Sequence, residues 1–151
     1  MRIAIGADHA GFDLKQSIKQ HLAAKGLAID DQGTVSTESV DYPDFAKKVG
    51  EAVAEKQADL GILVCGTGIG MSIAANKVQG IRAAHVSSEL DAQMAREHND
   101  ANVLTLGARV LDEQTTLKIV DKWLTTNFAG GRHQGRVDKI MKIEQQERTS
   151  A

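Results

Sequence analysis

The chain has 151 residues, a formal net charge of −2 and 42% hydrophobic residues, which suits one domain over 1–151 with one sizeable core. It carries no basic stripe for nucleic acid, no run of about 18 apolar residues to span a membrane, and no apolar leader after Met1. One cysteine precludes an internal disulfide and fits a reducing compartment, so a cytoplasmic protein is expected.

The first apolar run is Arg2–Ile5. After it, Leu14, Ile18 and Leu22 line one face of a helix, and Gly26 supplies the stop. A second run covers Leu27–Asp30, and Phe45, Val49 and Val53 mark the next helix. The third run, Leu60–Cys65, leads into Gly66-Thr67-Gly68-Ile69-Gly70, and Ile69 and Ile73 mark the helix that this loop opens. The fourth run is Ile81–Val86; on the helix after it, Leu90 and Met94 share a face with His98. The fifth is Val103–Leu106, followed by a helix marked by Leu117, Val120 and Leu124. Val137, Ile140 and Met141 mark a last helix with no strand behind it.

Runs this short and this apolar read as buried parallel strands. Their alternation with helices predicts an α/β fold: a doubly wound, three-layer domain on a five-stranded parallel sheet, with an extra C-terminal helix. That helix packs on its own sheet, across the sheet edge or onto a partner subunit.

In such a sheet, ligands bind at the carboxyl ends of the strands. The rule selects Asp8 and His9 after the first strand, Cys65 and the glycine loop after the third, and Gly107-Ala108-Arg109 after the fifth. His98 and Asn99 precede the fifth strand, and Arg132, His133 and Arg136 open the last helix. A thiol, an imidazole and a carboxylate are thus expected around one sheet edge.

Alternating glycines let backbone N–H groups face a ligand, and a following helix N-terminus adds a favourable dipole. The loop suits a phosphate, a carboxylate or an enolate oxygen, or it is a tight strand–helix turn. Three familiar phosphate motifs fail. The last glycine of a dinucleotide fingerprint and the arginine of a cysteine-phosphatase loop would both fall at Met71, and no Gly-Lys-Ser/Thr exists.

Cys65 is placed to act as a base or to serve as a small buried hydrophobe. Asp8 orients or protonates a substrate oxygen, or caps the next helix. His98 is an acid–base group or a helix C-terminal cation. Arg132 and Arg136, four apart, clamp a phosphate or form a solvated face. His21 and His85 read as structural. No His/Cys/Asp spacing matches a metal frame.

The segments GADHAGF, DYPDFA, CGTGIGMSIAANKVQGIRAA, HNDANVLTLGARV and GGRHQGRV occur in this order. From Arg2 to about Ile143 the chain resembles the ribose-5-phosphate isomerase B family, which includes the galactose-6-phosphate isomerase subunits. The resemblance implies a Rossmann-like three-layer sandwich, working without metal or cofactor as a homodimer or dimer of dimers with a shared active site. It implies that Cys65 moves a proton between C1 and C2 of a phosphorylated sugar, with Thr67 as its partner. Gly66, Gly68, Ile69 and Gly70 then form the anion hole. Asp8 and His98 open the sugar ring, Arg132 and Arg136 clamp the phosphate with His9 nearby, and Tyr42 lines the cleft. His98, Asn99 and Arg109 come from the neighbouring subunit. Some relatives use a Glu base at the position of Met71; this chain has no carboxylate from Cys65 to Lys77, so it resembles the Cys-base type.

The expected reaction is the interconversion of ribose 5-phosphate and ribulose 5-phosphate. A non-catalytic module holding a nucleotide or phospho-metabolite is the rival reading.

Overall fold

The computed structural model describes residues 1–149. Its strands are β1 (Arg2–Ala7), β2 (Ala28–Asp31), β3 (Leu60–Cys65), β4 (Ala83–His85) and β5 (Val103–Gly107). All pair in parallel, in the order β2-β1-β3-β5-β4. The helices are α1 (Phe12–Ala24), α2 (Tyr42–Ala54), α3 (Ile69–Ala75), α4 (Glu89–Glu97), α5 (Glu113–Thr125) and α6 (Arg132–Thr149). This is the expected three-layer α/β sandwich.

Strand side chains alternate between two faces, and that alternation builds two cores. Ile3, Ile5, Ile62, Val64, Leu104 and Leu106 pack against α1, α4 and α5 through Ile18, Leu22, Ala92, Ala95, Ile119 and Trp123. Ala4, Leu63, Cys65 and Val103 pack against α2 and α3 through Ala46, Val49, Val53, Met71 and Ala75. Cys65 therefore belongs to the α2–α3 side of the sheet.

The strand ends differ from the sequence reading where loop and helix-end groups take the backbone bonds. Gly26, at φ +79, closes α1 as expected. The N–H groups of Gly26 and Leu27 return to the carbonyls of Ala23 and Leu22, so Leu27 belongs to the helix end and β2 starts at Ala28. β4 loses Ile81 and Arg82 to loop bonds: Ile81 N–H donates to Val78 C=O at 3.2 Å, and Arg82 N–H to Asn102 Oδ1 at 2.8 Å. β1 runs on to Ala7, paired there with Val64.

Two helices present a different face to the core than their largest apolar residues suggest. On α3, Ile69 and Ile73 are exposed while Met71 and Ala75 are buried. On α4, Leu90 is 65% exposed, and Ala92 and Ala95 make the close approach. The last helix, α6, lies across the β4 edge and is held by side chains. Glu144 accepts from Gly80 N–H at 3.1 Å, Arg148 donates to Lys77 C=O at 3.3 Å, and Val137 is buried. Ile140 and Ile143 face outward.

Candidate active site

β1 and β3 are neighbours whose chains leave in opposite directions, one toward β2 and the other toward β4 and β5. The crevice beyond such a pair is where an open parallel sheet binds ligands. Asp8 sits there, buried, with its N–H on Val64 C=O at 3.2 Å. Its Oδ1 accepts from Gly11 N–H at 3.1 Å, so the carboxylate also caps the turn into α1.

Beside it, Cys65 is 5% exposed, and its Sγ accepts from the backbone N–H of Gly68 at 3.2 Å. Thr67 Oγ1 accepts from Ile69 N–H at 3.2 Å. Gly68 makes the turn at φ +85, a conformation in which a side chain would be strained. Behind the loop, a Cβ on Gly107 would lie 2.5 Å from Thr67 O, so the end of β5 presses directly on it. Two further bonds tie the strand ends together: Ala108 N–H to Cys65 C=O and Arg109 N–H to Gly66 C=O, both 2.9 Å.

Among the described residues, the amides of Gly66, Thr67, Gly70 and Met71 donate to no protein acceptor. These donors and the buried sulfur share one loop. α3 has only seven residues, so the capacity to hold an anion rests on these amides rather than on a long helix dipole. Tyr42 covers Gly70: a Cβ there would meet the Tyr42 ring at 2.6 Å. Arg109 covers Gly66, its guanidinium 3.2 Å from where a Cβ would stand. That places Arg109 at its own chain's loop, where the resemblance implied a neighbour's. His9 Nδ1 accepts from Val40 N–H at 3.2 Å and fixes the segment leading to Tyr42.

His98 lies elsewhere. α4 carries the chain from the carboxyl edge of the sheet back to the amino edge, and His98 caps it there, its N–H on Met94 C=O at 2.9 Å. The carboxyl edge of one chain therefore gathers Cys65, His9 and Asp8, but not His98. The rings of His98 and His133 stack, with centroids 4.3 Å apart and planes 14° from parallel. Arg132 and Arg136 flank His133 in the first turns of α6. His133 is held below the usual imidazole value by partial burial first, then by the charges of His98, Arg132 and Arg136, against an opposing pull from Glu97. This cluster suits an anion. Asn99 adjoins it, its C=O accepting from Arg82 Nε at 3.3 Å.

A groove of about 990 Å³ runs between α6 and the β4 edge, but of the candidate site residues only Asn99 lines it. Its walls are mainly apolar, including Ile81, Ala83, Ile140 and Ile143, and they hold no acid–base pair facing Cys65. His21 is paired with Asp121 at 2.8 Å, a structural contact as expected. His85 is not a bystander: its Nε2 lies 2.8 Å from Thr67 O, a contact that local sequence gives no sign of. Among the described residues, no three His, Cys, Asp or Glu side chains gather closely enough to hold a metal ion.

The model of the Ribose/Galactose Isomerase family matches residues 3–140. The chain is 51% identical over 144 residues to ribose-5-phosphate isomerase B of Escherichia coli (strain K12), covering 95% of this chain and 97% of that protein. Among solved structures, ribose-5-phosphate isomerase B of Clostridium thermocellum superposes with a TM-score of 0.96 at 54% identity, covering 97% of this chain and 99% of the other. The enzyme of Mycoplasma genitalium, solved with bound ribulose-5-phosphate, superposes at 0.92 with 47% identity over 95% of this chain and 96% of its own.

Proposed function

We infer the reaction from one premise: this chain belongs to the Ribose/Galactose Isomerase family. It is an aldose–ketose isomerase that interconverts ribose 5-phosphate and ribulose 5-phosphate. The observation that carries the chemistry is the Cys65 sulfur, 3.2 Å from the Gly68 amide in a loop where the amides of Gly66, Thr67, Gly70 and Met71 are free.

Moving a carbonyl from C1 to C2 requires a base that takes a proton from C2 and returns it to C1, while the hydroxyl proton passes from O2 to O1. The electron pair stays within the sugar, so the balance needs no oxidant. In our reading Cys65 is that base and the Thr67 hydroxyl helps to position it. A positioned acid–base group contributes about 10²–10⁴-fold. The amides along Gly66–Gly70, with Ile69 among them, hold the negative oxygen of the enediolate. One preorganised donor of this kind is worth about 3–4 kcal/mol.

Asp8 and His98 open the furanose ring, while Arg132 and Arg136 clamp the phosphate with His9 close by. Tyr42, Asn99 and Arg109 line the cleft. Binding the remote phosphate supplies energy that holds the open chain against the base.

One chain cannot close this site on itself, because His98, Asn99, Arg132 and Arg136 stand at the opposite sheet edge from Cys65. We therefore read the active form as a homodimer, or a dimer of dimers, in which the amino edge of one copy faces the carboxyl edge of the other. We read 1–151 as one isomerase domain. No helix among the described residues is long and apolar enough to cross a membrane, and with the sole thiol kept reduced we place the protein in the cytoplasm.

The test is direct. The protein should convert ribose 5-phosphate to ribulose 5-phosphate and, in deuterated water, place deuterium at C2 of the aldose. Cys65→Ala should lose at least about 10²–10⁴-fold in turnover while still binding substrate. A Cys65→Ala protein with full activity would sink the assignment. A wild-type protein that binds the sugar phosphate without converting it would support the holding module instead.

A further inference from the structure

We propose that His85 is a positioning residue for the anion-holding loop, setting the Gly68 amide against the Cys65 sulfur through the carbonyl of Thr67. The proposal rests on the isomerase reading above.

His85 is the last residue of the edge strand β4. Its Nε2 lies 2.8 Å from Thr67 O. A carbonyl only accepts, so Nε2 carries the proton and the tautomer is fixed. The ring also lies against Gly68, where a Cβ would meet His85 Cδ2 at 2.8 Å.

The carbonyl of Thr67 and the N–H of Gly68 belong to one peptide unit, which is planar. On one side its oxygen accepts a hydrogen bond from His85 Nε2. On the other side its N–H donates to Cys65 Sγ at 3.2 Å. Fixing the oxygen therefore fixes the direction of the N–H. It also polarises the unit, which strengthens the donor facing sulfur.

The far end of α3 is held by the same strand. Asn76 Nδ2 donates to Ala83 C=O at 2.9 Å, and its Oδ1 accepts from Ala83 N–H at 2.8 Å, standing in for a neighbouring strand. Two residues of β4, Ala83 and His85, thus hold the two ends of the loop–α3 segment. The Asn76 contact sets the helix against the sheet, Ala108 and Arg109 hold Cys65 and Gly66, and His85 sets the Thr67–Gly68 peptide.

His85→Phe keeps the ring and removes the donor, whereas His85→Gln keeps an N–H donor. On ribose 5-phosphate, His85→Phe should lower kcat about tenfold, the effect of one lost hydrogen bond on the reacting side. KM should stay within about twofold, because the phosphate is held elsewhere. The Gly68 amide should exchange with deuterium about tenfold faster. His85→Gln should recover most of both. If the Phe variant does not fold, His85→Ala takes its place.

Wild-type kcat and unchanged Gly68 exchange in the Phe variant would overturn the proposal, as would a Gln variant no better than Phe. If the wild type fails to isomerise ribose 5-phosphate, the isomerase reading falls on its own account. Gly68 exchange in the Phe and Gln variants still decides whether His85 holds the loop.

Discussion

Lys15 is 1% exposed, and its Nζ donates to both oxygens of Asp31, at 2.9 and 2.8 Å; Lys19 adds a contact at 2.6 Å. Burial pushes the Asp31 carboxyl up, but the bonds from Lys15, Lys19 and the Gly33 amide outweigh it and hold the group below its ordinary 3.8. A carboxyl lowered by folding stabilises the native state above its unfolded value. That contribution is lost as pH falls from about 4 through the lower folded value. Asp31→Asn should therefore cost about 2–3 kcal/mol at pH 7. This lies below the usual range for a broken buried pair because Asp31 is partly in water. Near pH 2 the urea midpoints of variant and wild type should converge; an equal gap at both pH values would contradict the sign. The sequence gives no hint of this pair, since Lys15 falls on the buried side of a helix whose apolar stripe was read from Leu14, Ile18 and Leu22 alone.

At the scale of elements, the five strands were legible because short apolar runs beside Gly, Asp and Cys leave few alternatives. Their ends were not, because Asn102 and Val78 take the N–H groups of Arg82 and Ile81 that would have continued β4. The phase of α3 was also misread. Ile69 and Ile73 form the more apolar i, i+4 pair, yet Met71 and Ala75 face the sheet. The turn at Gly68, with positive φ, sets where the first helical residue points, and hydrophobicity has no say in that. Met71→Ala should accordingly cost about 2–5 kcal/mol in urea or thermal unfolding. Leu90→Ala, on the outer face of α4, should stay within about 0.5 kcal/mol. The reverse ranking would mean that both helices are rotated from the positions described.

For the molecule as a whole, the carboxyl-edge rule found Asp8, Cys65 and the loop, but it misplaced His98. α4 has nine residues, a rise of about 13 Å, which is about the span of the five residues of β5. A helix of that length returns the chain across the sheet, so its two ends serve opposite edges. Under the proposed division of the site between copies, two inactive variants should complement each other. Cys65→Ala mixed with His98→Ala, after subunit exchange, should regain about a quarter of wild-type activity, because half the dimers are mixed and each carries one intact site. No recovery after verified exchange would mean that each chain works alone. The alternation along β3 carries one more consequence. Leu63 and Cys65 face α2 and α3, while Ile62 and Val64 face the other layer. Deleting or inserting a single residue inside this strand would turn the sulfur to the wrong side, under α1 and α5, and bury it away from sugar. Within β3, only even steps keep the sulfur on the α2–α3 side that the proposed reaction requires.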